Sequence, residues 1–199
     1  MIYLLRHGEI EDSDSRRYIG QTDCALNIRG RAQAEFWKKW LEKERVDSIF
    51  CSDLIRSSVT AEIISQGRQV ALQVNPDLRE INLGEWDGRS MQEIRDEFPA
   101  EWEARGAHID TFRPPGGESF ADLYQRVIPV VEHIAETVSG PALIVGHAGV
   151  NRVILCHVLG MPIRRLFSIR QDFAALNLLD NSKIKLQVAA VNLRPENVN

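Results

Sequence analysis

Short apolar runs alternate with helix-like patterns along most of this chain, and that alternation constrains the fold more than any other feature. "IYLL" at residues 2–5, "VDSIFC" at 46–51, "ALQVN" at 71–75 and "ALIVG" at 142–146 read as buried strands bounded by charge or glycine. Helical patterns separate most of them. Residues 27–42 place Ile28, Ala32, Phe36 and Trp40 four apart, with Trp37 and Leu41 beside them, and Gly30 marks the helix start. Ser52 is positioned as an N-cap, Asp53 suits a first turn, and Ile55, Val59 and Ile63 follow at helical spacing. Ser119 with Asp122 suggests an imperfect capping box before a long helix faced by Phe120, Leu123, Val127, Val130, Ile134 and Val138. Residues 150–159 give another helix. "DFAALNLLD" and "KIKLQVAAV" read as strands joined around Asn181 and Ser182, the last half-exposed through Ile184, Leu186 and Val188.

This order predicts an α/β fold: a three-layer α/β/α sandwich with a mostly parallel central sheet. A chain of 199 residues fits one domain, taken as 1–199. "DLREINLGEWDGRS" and "RPPGGES" are loop segments, and residues 90–105 look helical in two pieces broken at Pro99. Residues 94–118 are the natural insertion to cap one end of the sheet.

Bulk properties exclude several classes. The net charge of -4 and the lack of a dense basic patch give no support for nucleic-acid binding. No stretch approaches membrane-spanning length, and the opening apolar run lacks a basic leader. Cys24, Cys51 and Cys156 are odd in number and widely spaced, so neither a disulfide framework nor a thiolate metal site is expected. A reducing cytoplasm is the default. The half-exposed last strand leaves a homodimer open.

Chemistry concentrates at strand ends. In an open parallel sheet, ligands bind beyond the carboxyl ends of the strands. Arg6 and His7 follow the first strand, and His147 follows "ALIVG". Gly8, Gly146 and Ala148 are small neighbours that let a ligand approach the backbone. A third strand leads to Ser52 and then Arg56. Two arginines oppose a metal cation, which disfavours a zinc site at His7, His147 and Glu80, and favour phosphate oxygens. A neutral histidine can attack phosphorus while arginines hold the equatorial oxygens. The leaving oxygen needs a proton, which a carboxylic acid with a raised pKa can supply. Glu80 is the first choice, with Glu85, Asp87 and Glu9 as alternatives. Taken singly, His7 also suits a structural histidine, Arg56 a surface arginine and Glu80 a solvated loop residue.

"LLRHGE", "SDLIRSSVTA", "LREINLGEWDG", "PGGES" before a long helix, and "GHAG" occur here in order. Together they resemble the histidine phosphatase, or phosphoglycerate mutase-like, superfamily. The resemblance implies that His7 is phosphorylated and then freed by water. It makes Arg6, Arg56 and His147 the grip on the phosphoryl oxygens, and Glu80 the proton donor. It also implies substrate contacts from Gly8, Ser13, Gln21, Thr22 and Ala148, with no metal or organic cofactor. The chain departs from the mutases in having "RHGEIEDS" where they carry "RHGES". "RYIGQTDCALNIRGRAQA" most resembles alpha-ribazole phosphatases, and the same blocks recur in phosphoserine and broad phosphomonoesterases. A non-catalytic phosphate-ester binder is the remaining class. Trp102, His108, Phe112 and Arg113 are candidates to contact the substrate, although Trp102 and Phe112 equally suit packing of the cap.

Overall fold

A computed structural model describes residues 1–198 apart from Asp12, Asp14, Lys183 and Ile184. Six strands form one sheet: β1 (Ile2–Arg6), β2 (Ser48–Cys51), β3 (Leu72–Val74), β4 (Ala142–Gly146), β5 (Leu176–Asp180) and β6 (Gln187–Leu193). Their spatial order is β3-β2-β4-β1-β5-β6. The first four in that order run parallel, while β5 and β6 are antiparallel additions. The mostly parallel sheet expected from the alternation is therefore present.

Strand side chains divide by the two-residue period into two cores. Ile2, Leu4, Ala142 and Ile144 face α5 (Phe120–Thr137) and α6 (Ala148–Leu159). Tyr3, Leu5, Ile49, Cys51, Leu143 and Val145 face α1 (Ile28–Leu41) and α2 (Ile55–Ser65). Both sheet faces are thus covered, which suits continuous apolar strands. The two expected helical pieces are α3 (Met91–Glu97) and α4 (Pro99–Ala107), with Pro99 at the first position of α4, where its missing N–H costs nothing.

Several helix faces differ from the sequence reading. Ile28 is 86% exposed, and the buried stripe of α1 is Gly30, Ala34, Trp37 and Leu41. A strict four-residue spacing drifts around a 3.6-residue helix, whereas steps of four, three and four stay on one face. Gly30 fixes that rotation, because a Cβ there would lie 2.0 Å from the Glu9 carbonyl oxygen. Ser52 is not an N-cap. Helix α2 starts three residues later, and Asp23 accepts from the Ile55 N–H at 2.8 Å. Its buried face opens with Arg56, Ser57 and Thr60, all hydrogen-bonded, while Ile55 is exposed. On α5 the capping box of Ser119 and Asp122 is complete, but Ile128 and Val131 take the fully buried places expected for Val130 and Val138. Strand β6 is an edge with alternating exposure, as expected; Ile184, part of that expectation, lies outside the described residues.

Alanine in a helix interior ordinarily stabilises by about 1 kcal/mol over glycine. The contact with Glu9 reverses that sign at Gly30. Gly30→Ala is expected to destabilise the chain by about 1–3 kcal/mol, measured as a lower urea midpoint at unchanged slope. A stabilised variant would mean that α1 does not lie against residue 9.

Candidate functional site

Strand register brings the predicted residues to one end of the sheet. Arg6 lies opposite Gly146, and Cys51 opposite Val145. The next residues are His7, His147 and Ser52. The His7 N–H continues the ladder to the Gly146 carbonyl at 3.1 Å. The two imidazole centroids are 5.2 Å apart.

Both histidines are buried. His7 Nδ1 lies 2.8 Å from the Gly8 carbonyl, a pure acceptor, so Nδ1 carries the proton and Nε2 keeps its lone pair. His147 Nε2 lies 2.7 Å from Ser52 Oγ, and its buried Nδ1 has no hydrogen-bond partner among the described residues. Burial pushes the pKa of His7 well below the usual imidazole range, with Arg56, His147 and Arg6 pushing the same way and the Gly8 carbonyl opposing. Burial does the same to His147, reinforced by Arg56, Arg6 and Arg126. Both rings are neutral at pH 7.

The arginines are held by carbonyl oxygens. Arg6 donates from Nη1 to the Gln171 carbonyl at 2.8 Å, its guanidinium carbon lies 3.8 Å from the Phe173 ring centroid, and its buried Nε has no hydrogen-bond partner among the described residues. Burial lowers its pKa to about 10, so it stays charged at neutral pH. Arg56 is 1% exposed and donates to the carbonyls of Gly20 and Thr22. Carbonyls satisfy donors without cancelling charge, which leaves both cations available to an anion.

Glu80 is buried, and its two carboxyl oxygens accept from the N–H groups of Ile81 at 3.0 Å and Gly149 at 2.9 Å. A Cβ on Gly149 would lie 2.4 Å from Glu80 Oε1, so the last glycine of "GHAG" is the space the carboxyl occupies. Arg126 reaches the carbonyls of Asp77, Arg79 and Glu80 while paired to Glu118 at 2.8 Å, which ties the Glu80 loop to α5.

The remaining predicted residues lie around this centre. The Gly8 N–H donates to Thr60 Oγ1 at 3.2 Å, and a Cβ on Gly8 would strike the backbone of Gly30. Gln21 donates from its side chain to the Glu80 carbonyl at 3.0 Å. The backbone N–H groups of Gly20, Gln21 and Thr22 all donate to the Asp87 carboxylate. That spends Asp87 on holding the turn that clasps Arg56. Glu9 accepts from Asn27 at 2.9 Å, and Ser13 Oγ lies 3.4 Å from Glu9. Ala148 opens α6 directly after His147. Of the four carboxylates proposed from sequence, Glu80 is the one held against the helix that begins beside His147. Trp102 packs near Tyr18, Phe112 packs on Trp86, and Arg113 pairs with Asp122.

Sequence reasoning missed Gln171, Phe173 and Ser52 as partners of this site. Only Ser52 had a readable signal, since it stands at a third strand end. Among the described residues, no group of three or more His, Cys, Asp or Glu is placed to hold a metal ion, and no helix is long and apolar enough to cross a membrane.

Comparison with known proteins agrees with this geometry. Residues 2–194 match the family model of the histidine phosphatase superfamily, branch 1. The adenosylcobalamin/alpha-ribazole phosphatase of Escherichia coli is 27% identical over 97% of this chain and 96% of its own. Phosphoserine phosphatase 1 of Hydrogenobacter thermophilus is 26% identical over 96% and 92%. The crystal structure of the alpha-ribazole phosphatase from Shigella flexneri superposes with a TM-score of 0.90 at 27% identity, covering 97% of this chain and 96% of that one. The chain therefore belongs to the histidine phosphatase superfamily and is a phosphomonoesterase of that type, acting on a small phosphorylated metabolite.

Proposed function

We propose that His7 is the nucleophile, that Arg6, Arg56 and His147 hold the phosphoryl oxygens, and that Glu80 moves the protons. The orphaned buried donors carry this reading. Among the described residues, Arg6 Nε and His147 Nδ1 have no hydrogen-bond partner, and they flank a histidine whose Nε2 keeps its lone pair. A Ser52 hydroxyl donating to His147 Nε2 leaves the proton on Nδ1, as a donor to a phosphoryl oxygen.

In the first step the His7 Nε2 lone pair attacks phosphorus and the ester P–O bond breaks. The leaving oxygen takes the Glu80 proton. In the second step Glu80, now a carboxylate, takes a proton from water as that water attacks phosphorus. The P–N bond breaks, its electron pair returns to Nε2, and phosphate leaves. Fixed guanidinium donors stabilise the charge on the transferring group without reorganising. Gly8, Ser13, Gln21, Thr22 and Ala148 line the approach to this centre, and residues 94–118 act as a cap, packed onto Tyr18 and Trp86 by Trp102 and Phe112.

The relatives favour alpha-ribazole 5′-phosphate, hydrolysed to alpha-ribazole and phosphate. A phosphorylated acid such as phosphoserine is the second reading, supported by the similarity to phosphoserine phosphatase 1. A panel of kcat/KM values for alpha-ribazole 5′-phosphate, phosphoserine, 3-phosphoglycerate and sugar phosphates decides between them. A preference of about a hundredfold for alpha-ribazole 5′-phosphate, near 2.7 kcal/mol, supports the first. A flat profile discards it and leaves the chemistry intact.

Two substitutions test the roles. His7→Ala should lower turnover on the order of a thousandfold or more and abolish trapping of labelled phosphate on the protein. Near-normal turnover would sink the nucleophile assignment. Glu80→Gln should cost about a hundredfold or more on alkyl esters and much less on an activated aryl phosphate. Equal losses on both would count against proton donation.

The depressed histidine pKa values also set a pH dependence of stability. Below about pH 6.5 the unfolded chain takes up protons that buried His7 and His147 refuse, so stability is lost as pH falls through that range. Urea denaturation at pH 7.5 and 5.5 should show this loss, and His7→Gln should reduce it. An undiminished loss would place the proton uptake elsewhere.

A further inference from the structure

Asn177 takes no part in the proposed reaction and is out of place in its strand. It sits inside the apolar run "ALNLLD", opposite Leu4 in the pairing of β5 with β1, and is fully buried. Asparagine is depleted in strands, and a buried amide costs free energy unless it is hydrogen-bonded. Here every donor and acceptor of the amide is used. Nδ2 donates to the Leu4 carbonyl at 2.9 Å and to Gln171 Oε1 at 3.0 Å, while Oδ1 accepts from Gln171 Nε2 at 2.7 Å and from the Asn192 N–H at 3.0 Å. The amides of Asn177 and Gln171 thus face each other as a closed pair. Gln171, also buried, donates again from Nε2 to the Arg170 carbonyl at 2.9 Å. The buried amide of Asn151, on α6, completes the cluster, 3.2 Å from Gln171 Oε1 and 3.2 Å from the His147 carbonyl oxygen.

A bulge in the sheet aims this cluster. Leu176 pairs with Leu193 and Leu178 with Ala190, so two residues of β6, Val191 and Asn192, oppose the single residue Asn177. Asn192 has a φ of 58°, in the left-handed region that asparagine tolerates. Its side chain accepts from the Asp172 N–H at 2.8 Å and donates to the Asp172 carboxylate at 3.0 Å. Residues 171–175 are therefore clamped from β5 and β6. The same five residues face the reaction centre. The Gln171 carbonyl and the Phe173 ring hold the Arg6 guanidinium. The Ala175 carbonyl accepts from the Arg6 N–H at 2.9 Å, and the Ala174 N–H donates to the His7 carbonyl at 3.0 Å. Ala174 has a φ of 52°, a conformation that alanine keeps only where its surroundings impose it.

We propose that Gln171, Asn177 and Asn151 are positioning residues, whose buried amides fix residues 171–175 and the His147 turn so that the phosphoryl grip is set before substrate arrives. Neutral amides suit the task. A carboxylate in their place would brace the segment and also offset the charge of Arg6. An amide pair with its hydrogen bonds filled cannot turn without breaking several of them in a buried setting. Donors set in advance need no reorganisation as charge moves onto the transferring group. This role rests on the reading in which Arg6 and His147 hold the phosphoryl oxygens.

The test measures calorimetric binding of orthovanadate, which imitates the transferring phosphoryl group and needs no turnover, to the full-length chain. Arg6→Gln should weaken binding by about a hundredfold. Gln171→Met keeps the carbonyl that holds Arg6 and removes the amide. It should weaken vanadate by about tenfold and lower kcat on p-nitrophenyl phosphate by a similar factor, with KM within about threefold of wild type. Added to Arg6→Gln, it should cost less than about twofold more, because the brace then has little left to position. A Gln171→Met protein that is less stable to urea but binds vanadate and turns over as wild type would overturn the proposal, leaving the amides a purely structural role. The same tenfold loss in the Arg6→Gln background would also overturn it. If Gln171→Met does not fold, Asn192→Gly decides: glycine accepts the positive φ, so only the grip on Asp172 is lost. Vanadate affinity should then fall about threefold, and an unchanged affinity would overturn the proposal. Equal vanadate binding by wild type and Arg6→Gln would remove the phosphoryl-grip reading and this role with it, whereas a loss confined to Arg6→Gln removes this role alone.

Discussion

The register of three parallel strands is the constraint on which the rest depends. Arg6 pairs with Gly146, and Cys51 with Val145, so the first residues past each strand are neighbours in space. A one-residue slip would turn His7 or His147 to the opposite face of the sheet. The slip is opposed by two cores at once, because Leu4 and Ile144 are buried on one face and Leu5 and Val145 on the other. Shifting either strand would move apolar side chains between two differently shaped, filled layers. The strength of the fold is thereby spent on fixing the distance between two imidazoles.

Electrostatics in the pocket follow from how its cations are held. A buried arginine usually meets a carboxylate, and the pair then presents little net charge. Here Arg6 and Arg56 meet carbonyl oxygens, and Asp87 acts one step removed by gripping the N–H groups of the turn whose carbonyls face Arg56. The guanidinium groups keep their field, and that field, together with burial, holds both histidines neutral. Neutrality is what a nucleophilic nitrogen requires. The same arrangement that would bind the phosphoryl dianion thus also prepares the group that attacks it.

Much of this was legible because strand ends are written in the sequence. "LLRHGE", "SIFCS" and "ALIVGHAG" each show an apolar run stopping at a polar or small residue, and parallel topology collects such stops at one edge. Less legible were features that depend on which residue another segment touches. Ser52 looked like an N-cap because local chemistry favours it there, yet the helix begins at Ile55 and the hydroxyl goes to His147. The face of α1 was misplaced because its rotation is set by Gly30 lying under Glu9, a contact between different elements. Gln171 and Phe173 carry no motif at all. One contributes a main-chain carbonyl, which every residue owns, and the other a ring whose role depends on Arg6 lying over it.

Glycines in this site are better understood as volume left for other groups than as flexible joints. Gly149 and Gly30 have ordinary negative backbone angles, so conformational freedom does not explain them. A side chain on Gly149 would displace the Glu80 carboxyl, and one on Gly8 would separate the Arg6–His7 turn from α1. The N–H of Gly149 and the space beside it belong to one device, which both admits the carboxyl and binds it. A carboxyl so placed also carries a consequence for turnover. In the proposed cycle Glu80 is a carboxylate only between the two steps, after the alcohol has taken its proton and before the attacking water returns one, so a single fixed position beside Gly149 serves both proton transfers.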